Sequence, residues 1–436
     1  MAWPRLKTAA VAGATVLMVT GIAIVVRMSP AGSLSKDRLR LPVGKGTPAV
    51  SLGQTHGLIL ASDGSLWSWG SDWLGWPVLG LGNVPSQTRL RRIGNDTNWV
   101  SISAGHSHNM AIKSDGTLWA WGANHAGQFG VGTVGRQNRR ANTPVRAASG
   151  NDWKQAAAGG VHSVALKNDG TLWAWGINWA GSLGTGSTSN SAVPVQVGSS
   201  TNWIKVWAGM LETVALQSDG SLWYWGDNPD PAFPQGTGAI LVPTRVSPDA
   251  NWVDVGFGVN TVFAIKSDGT LWSWGRNAHV YTDTHDPALD SRPTRIGTNS
   301  DWRSIPACGL WWRQGLTKKD GSFWLMDASD YDANRPPKHA KALRFRRTKF
   351  QRAVVAYTAG DAHGVAIGVH GPIGVALTRD GEVWTWGLML GEPPTFASIL
   401  QNGAIPLANQ LGFKVQPVDP GPVIRQTPWQ LQHLEP

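Results

Sequence analysis

Three histidines, His56, His108 and His162, each stand seven residues before an Asp-Gly pair. Three imidazoles brought together by a fold would offer nitrogen ligands to a metal ion. The equivalent positions in the next two copies hold Glu212 and Thr261, so the series breaks and the histidines read as framework. Tyr281-Thr-Asp283-Thr-His285-Asp286-Pro-Ala-Leu-Asp290 gathers three carboxylates and an imidazole, a set suited to a hard cation; its place between strands reads as a solvated polar loop. Gly130-Val-Gly132-Thr-Val-Gly135 spells a dinucleotide fingerprint, but that motif needs a strand leading into a helix within a βαβ unit. No Gly-x-Ser-x-Gly elbow, phosphate-binding Gly-Lys-Ser/Thr loop or zinc-protease His-Glu motif is present. The expectation is a protein without catalytic residues, cofactor or metal.

Two other sets have the chemistry of binding. Arg335, Lys338, Lys341, Arg344, Arg346, Arg347, Lys349 and Arg352 place eight positive charges between residues 335 and 352, with no Asp or Glu among them. The chain's formal net charge is +10, so its basicity is nearly all in this one run. A concentrated patch steers an anionic partner better than the same charge dispersed; a solvated loop is the bland alternative. Trp73, Trp76 and Trp179 fall outside the repeated tryptophan positions, in loops after hairpins, where exposed aromatic rings suit a macromolecular or carbohydrate partner.

What must position these residues is a repeat. Asp-Gly pairs begin at Asp63, Asp115, Asp169, Asp219, Asp268, Asp320 and Asp380, at spacings of 52, 54, 50, 49, 52 and 60. In six of the seven copies Trp-x-Trp-Gly follows at once. Asp-Gly between alternating runs signals a hairpin, because its turn needs positive φ. Trp119 and Trp121 are two apart and share a strand face. Such same-face pairs in every copy read as the packing between neighbouring sheets. Each period then adds a Gly/Asn/Ser loop, a Pro-Val segment such as Pro144-Val145 or Pro194-Val195, and an Asn-Trp or Asp-Trp strand. That makes about four short strands per period and no helical pattern, the sequence form of a β-propeller. Pro42-Val43 and Pro48 to Gly53 resemble segments preceding later Asp-Gly turns, so amino-terminal strands are expected to complete the last blade and hide its edge. With 53 Gly, 26 Trp and charged residues at 15%, the composition is that of a turn-rich all-β protein. One cysteine, Cys308, excludes an internal disulfide framework.

Gly105 and His108, Asp115-Gly116, Trp119 to Gly122, and Asn124-His-Ala-Gly127-Gln128-Phe129-Gly130 resemble the regulator of chromosome condensation repeat. Asn178-Trp-Ala-Gly181-Ser-Leu183-Gly184 is a second good match. The resemblance runs over roughly residues 40 to 415 and implies a seven-bladed propeller. Founding members of the family exchange guanine nucleotides on a small GTPase and bind chromatin; secreted relatives include a β-lactamase inhibitor. The sixth copy departs from the pattern, Asp320-Gly-Ser-Phe-Trp324-Leu-Met-Asp327 having lost Trp-Gly, and the seventh is longer.

Thr8 to Val26 is nineteen residues without a charge, closed by Arg27, a length suited to a membrane-crossing helix. The expected organisation is a cytoplasmic tip and transmembrane or signal-anchor helix over 1–30, a linker over 31–41, the propeller over 42–415 and a Pro-rich tail over 416–436. The expected function is a non-catalytic scaffold, membrane-anchored or secreted, that binds a protein or other anionic macromolecule through its loops. Two alternatives stand beside it: a cytoplasmic or nuclear exchange factor or chromatin binder, for which nucleic acid enters as a partner, and a tryptophan-based carbohydrate binder.

Overall fold

A computed structural model describes residues 9–11, 14–19, 22–26, 39–53, 55–70, 72, 76–84, 87–132, 139–228, 238–258, 261–275, 278, 291–305, 313–327, 344–347, 354–363, 370–378 and 381–386. The chain divides into two compact units, Met1–Leu390 and Gly391–Pro436, and all described residues belong to the first. The expected boundary at 415 lies outside them.

The described residues form strands and no α-helix. Strands β1 (Ala9–Val11), β2 (Ala14–Val19) and β3 (Ile22–Val26) make a three-stranded antiparallel sheet. This corrects the expected helix over Thr8 to Val26. The run is rich in Val, Ile and Thr, which favour strands, and Gly13 and Gly21 fall in the two gaps between strands. No helix among the described residues is long and apolar enough to cross a membrane.

Strand β4 (Leu39–Arg40) precedes six sheets, each of four consecutive antiparallel strands. Blade 1 holds β5 (Ala49–Leu52), β6 (His56–Leu60), β7 (Leu66–Gly70) and β8 (Gln87–Arg92). Blade 2 holds β9 (Trp99–Ala104), β10 (His108–Lys113), β11 (Leu118–Ala123) and β12 (Arg140–Arg146). Blade 3 holds β13 (Trp153–Ala158), β14 (His162–Lys167), β15 (Leu172–Gly176) and β16 (Ser191–Gln196). Blade 4 holds β17 (Trp203–Ala208), β18 (Glu212–Gln217), β19 (Leu222–Gly226) and β20 (Ile240–Arg245). Blade 5 holds β21 (Trp252–Gly258), β22 (Thr261–Lys266), β23 (Leu271–Trp274) and β24 (Thr294–Ile296). Blade 6 holds β25 (Trp302–Ser304), β26 (Arg313–Lys318), β27 (Phe323–Asp327) and β28 (Arg344–Arg347). A further four-stranded sheet is composite: β29 (Val354–His363), β30 (His370–Thr378) and β31 (Glu382–Trp386) are completed by β4, with Arg40 opposite Glu382 and Leu39 opposite Val383. First strands of successive sheets lie against each other, β5 on β9, β9 on β13 and β13 on β17, and β29 returns to β5. The fold is an all-β propeller whose two ends are joined by the amino-terminal strand.

The Asp-Gly turns of blades 1 to 6 are each held by a short relay. In blade 5, Thr270 N–H (2.9 Å) and Oγ1–H (2.7 Å) both donate to Asp268 Oδ1, and Trp272 Nε1–H donates to Thr270 Oγ1 at 2.8 Å. In blades 1 to 4 and 6 the same indole donates to Ser65, Thr117, Thr171, Ser221 or Ser322. The glycine has two reasons to be glycine. At Gly116, φ is +76°, and a Cβ there would lie 1.9 Å from the carbonyl oxygen of Asn151. The close approach exists because Trp153 N–H, at the start of the next blade, donates to Gly116 O.

The second tryptophan of each pair seals the junction between blades. Trp121, Trp175, Trp225 and Trp274 are buried, and each such ring removes about 200 Å² from water, worth roughly 5 kcal/mol before entropy is counted. In four blades a lysine closes the opposite end: Lys113, Lys167, Lys266 and Lys318 each lie over two tryptophan rings and pair with Asp96, Asp152, Asp249 or Asp301.

Candidate partner-binding face

The histidines stand where blades meet. His56 Nε2 is 2.6 Å from Asn109 Oδ1, His108 Nε2 is 2.9 Å from Ser163 Oγ, and His162 Nε2 is 3.0 Å from Thr213 Oγ1. In each pair the partner belongs to the next blade. That partner in turn donates into the first blade's loop: Asn109 Nδ2 to Val78 O, Ser163 Oγ to Gln128 O, Thr213 Oγ1 to Ser182 O. With those protons committed, Asn109 Oδ1, Ser163 Oγ and Thr213 Oγ1 accept from imidazole Nε2–H, which assigns the tautomer. Trp121, Trp175 and Trp225 Nε1–H add a second bond to the same three carbonyls.

Nδ1 of each imidazole is buried without a partner. A Cβ on Gly53 would lie 2.2 Å from His56 Cε1, and one on Gly159 would lie 2.5 Å from His162 Cε1, so the Gly-x-x-His spacing lets a ring fold over a bare backbone. Burial pushes the imidazoles down, His56 and His162 to about 4 and His108 to about 3. They are neutral pegs between blades. No group of three or more His, Cys, Asp or Glu suited to a metal ion occurs among the described residues.

The loops that these pegs hold carry the exposed aromatic residues. Asn178 anchors the loop of blade 3 with its whole amide. Its Oδ1 accepts from Leu183 N–H (2.8 Å), and its Nδ2 donates to Ser187 O (2.8 Å) and Ser189 O (3.1 Å). Its own N–H donates to Asn190 Oδ1 at 2.7 Å. On this fixed turn Trp179 is 46% exposed. Gly186 N–H of the same loop donates to Leu241 O, and Gly132 N–H of the preceding loop donates to Ala192 O. Exposed Val242 and Val193 are the next residues along those outer strands, and exposed Val131 precedes Gly132. Exposed Trp179, Val131, Val193 and Val242 thus lie on or beside loops and outer strands that are hydrogen-bonded to one another.

Trp76 behaves differently. It is half-buried and stacks on His125 of the next loop, centroids 4.9 Å apart and planes 24° from parallel. Its ring is spent partly on joining two loops, so of the two described candidates Trp179 presents the freer surface. Trp73 lies outside the described residues, as does the whole Tyr281 to Asp290 loop. Of the basic run, Arg344, Arg346 and Arg347 lie on β28, the outermost strand of blade 6; Arg335, Lys338, Lys341, Lys349 and Arg352 lie outside the described residues. Sequence reasoning missed Asn178, His125 and the exposed valines. The Asn-x-x-Gly spacing shared by Asn124 and Asn178 was the available signal for the first.

Regulator of chromosome condensation (RCC1) repeats match residues 115–166 and 169–216, and a second description of the repeat matches 99–128. Residues 99–216 carry RCC1 repeats. The human probable E3 ubiquitin-protein ligase HERC6 is 34% identical over 137 residues, 31% of this chain and 13% of that protein. The ultraviolet-B receptor UVR8 of Arabidopsis thaliana is 31% identical over 161 residues, 36% of this chain and 35% of the receptor. The chain thus spans about an eighth to a third of the length of the curated relatives it matches. Among solved structures, human WBSCR16 superposes with a TM-score of 0.59 at 16% identity, covering 83% of this chain and 89% of the other. At such identity the likeness is one of fold.

Proposed function

We propose that this protein is a non-catalytic interaction scaffold, a ring of seven blades that binds a protein partner through the loops of blades 2 to 4. One observation carries the reading: Trp179 stands exposed on a turn that the side-chain amide of Asn178 holds with three hydrogen bonds. An aromatic ring held rigid before binding loses little entropy on docking, which is the character of a binding hot spot. The neighbouring Val131, Val193 and Val242 supply the apolar surround. Yeast Prp20, of the same fold, binds Gsp1p and histones and forms a complex with Kap60, and this supports a protein over a glycan. Compartment is a separate proposal, export from the cytoplasm, supported by the charge-free run Thr8 to Val26 and tested by fractionation with sequencing of the mature amino terminus.

The test is affinity capture from native extract with wild-type protein and with Trp179→Ala. The expected outcome is loss of a stoichiometric protein from the variant with its melting temperature unchanged, since the indole is not part of any blade junction. Capture that survives Trp179→Ala, Val193→Ser and Val242→Ser together would sink the reading.

A further inference from the structure

The outer strands of the blades fall into two kinds. The residue opposite the first tryptophan of each pair is Arg146, Gln196, Arg245 and Arg295 in blades 2 to 5. Two positions before it stands a proline every time: Pro144, Pro194, Pro243 and Pro293. The proline has no N–H, and the sheets keep their ladders around it, so they have no use for an N–H at that register. On an outermost strand such a proline blocks pairing with any further strand.

Blades 1 and 6 differ. There the arginines opposite tryptophan are Arg92 and Arg347, and the proline register holds Leu90 and Phe345. Blade 6 departs further. The outer strands of blades 1 to 4 shift register beside the Trp-x-Trp-Gly strand. β28 pairs with β27 without a break, Arg347 with Trp324, Arg346 with Leu325, Phe345 with Met326 and Arg344 with Asp327. Among the described residues, β28 is bonded on one side only. It is a regular, proline-free edge.

Charge selects what fits such an edge. Arg92, Arg146, Arg245 and Arg295 each donate from Nη2 to a carbonyl of their own following turn, Asn95, Gly150, Pro248 and Thr298. Arg347 shares that register. The Arg-x-Arg-Arg spelling of β28 recurs in blade 1 as Arg89 to Arg92, but there the strand shifts register beside Ser68, and only around β28, from Arg335 to Arg352, does the sequence run without a carboxylate.

We propose that β28 is a docking edge on which an acidic, extended peptide segment adds as a fifth strand. Backbone hydrogen bonds would supply affinity, and Arg344 and Arg346 would select carboxylate side chains. This surface is distinct from the loops around Trp179.

The probe is an end-blocked peptide of alternating Glu and Val, about six residues long, the commonest strand length, with fluorescence anisotropy as the readout. Phe345→Pro gives blade 6 the residue four other blades carry and leaves every charge in place. The expected result is folded protein with affinity reduced about tenfold or more, the scale of one lost net hydrogen bond. Leu90→Pro in blade 1 should leave affinity unchanged. The same peptide N-methylated at alternate residues along one edge should fail to bind wild-type protein, which keeps the test decisive if Phe345→Pro does not fold. No binding to wild-type protein, equal binding of the methylated peptide, or loss on Leu90→Pro instead of Phe345→Pro would each overturn the proposal. Affinity that falls with Arg344→Gln and Arg346→Gln but not with Phe345→Pro would also overturn strand addition, leaving charge attraction alone.

Discussion

Glu212 occupies the register that His56, His108 and His162 hold in the first three blades, and the chemistry inverts with it. Its carboxylate folds back over Gly209, where a Cβ would lie 2.3 Å from Oε1, and accepts from Leu211 N–H at 2.9 Å. Burial dominates, with Asp227 adding repulsion, and the group is pushed up from 4.5 to about 7. A carboxyl raised on folding contributes fully below its unfolded value and loses that contribution as pH rises through the folded one. Near pH 8 the ionised group therefore costs about 3 kcal/mol relative to a neutral isostere. Glu212→Gln should raise the melting temperature clearly at pH 8 and leave it nearly unchanged at pH 4.5. An equal shift at both values would show that charge is not the cause.

The blade as an element tests itself through its own copies. Thr270 relays between Asp268 and Trp272, and the same position holds Ser65, Ser221 and Ser322 in blades 1, 4 and 6. The hydroxyl is what blades 1 to 6 all keep. Thr270→Val should cost about 1 to 2 kcal/mol in urea unfolding by leaving the indole N–H without its acceptor, whereas Thr270→Ser should cost a few tenths at most. The lysine clamp follows the same logic. Blade 4 replaces the lysine by Gln217, and there the acid is gone too, Ser200 and Asn202 hydrogen-bonding to the amide instead. Charge leaves that site as a pair, which marks it as framework. Asp-Gly spacing and paired tryptophans made the strand order readable from sequence because both are local rules of turn and pleat. Contacts between blades join residues about fifty apart, and nothing local announces them. The partner of His108 is Ser163, and no spacing within one copy points there. The helix expected over Thr8 to Val26 is replaced by three strands for a related reason: length without charge is shared by an apolar helix and by apolar strands, and the pairing of β1 with β2 and β2 with β3 is not a local signal. Trp76 and Trp179 looked alike as loop tryptophans, and only the neighbouring loop, with His125 under one ring, separates them.

At the scale of the whole molecule, the buried histidines set how the propeller meets acid. His56, His106 and His162 are pushed down to about 4 and His108 to about 3, in each case chiefly by burial. A base depressed on folding contributes fully above its unfolded value near 6.5 and loses that contribution as pH falls through the folded one. Glu212, held near 7, and Asp254, pushed up by burial to about 6, oppose them, because the folded protein keeps protons there that the unfolded chain gives up. Near pH 5 four imidazoles take up protons on unfolding and two carboxyls release them. The balance is about two protons, a slope of roughly 3 kcal/mol of stability per pH unit. The pegs His56, His108 and His162 lie at the junctions of blades 1 with 2, 2 with 3 and 3 with 4, so acid should open that side of the ring first. Amide exchange at pH 5 should accelerate in β10, β14 and β18 ahead of β22 and β26, while the melting temperature falls steeply between pH 6.5 and 4.5. A melting temperature flat over that range, or exchange rising equally in all five strands, would show that these neutral pegs are not what holds the junctions.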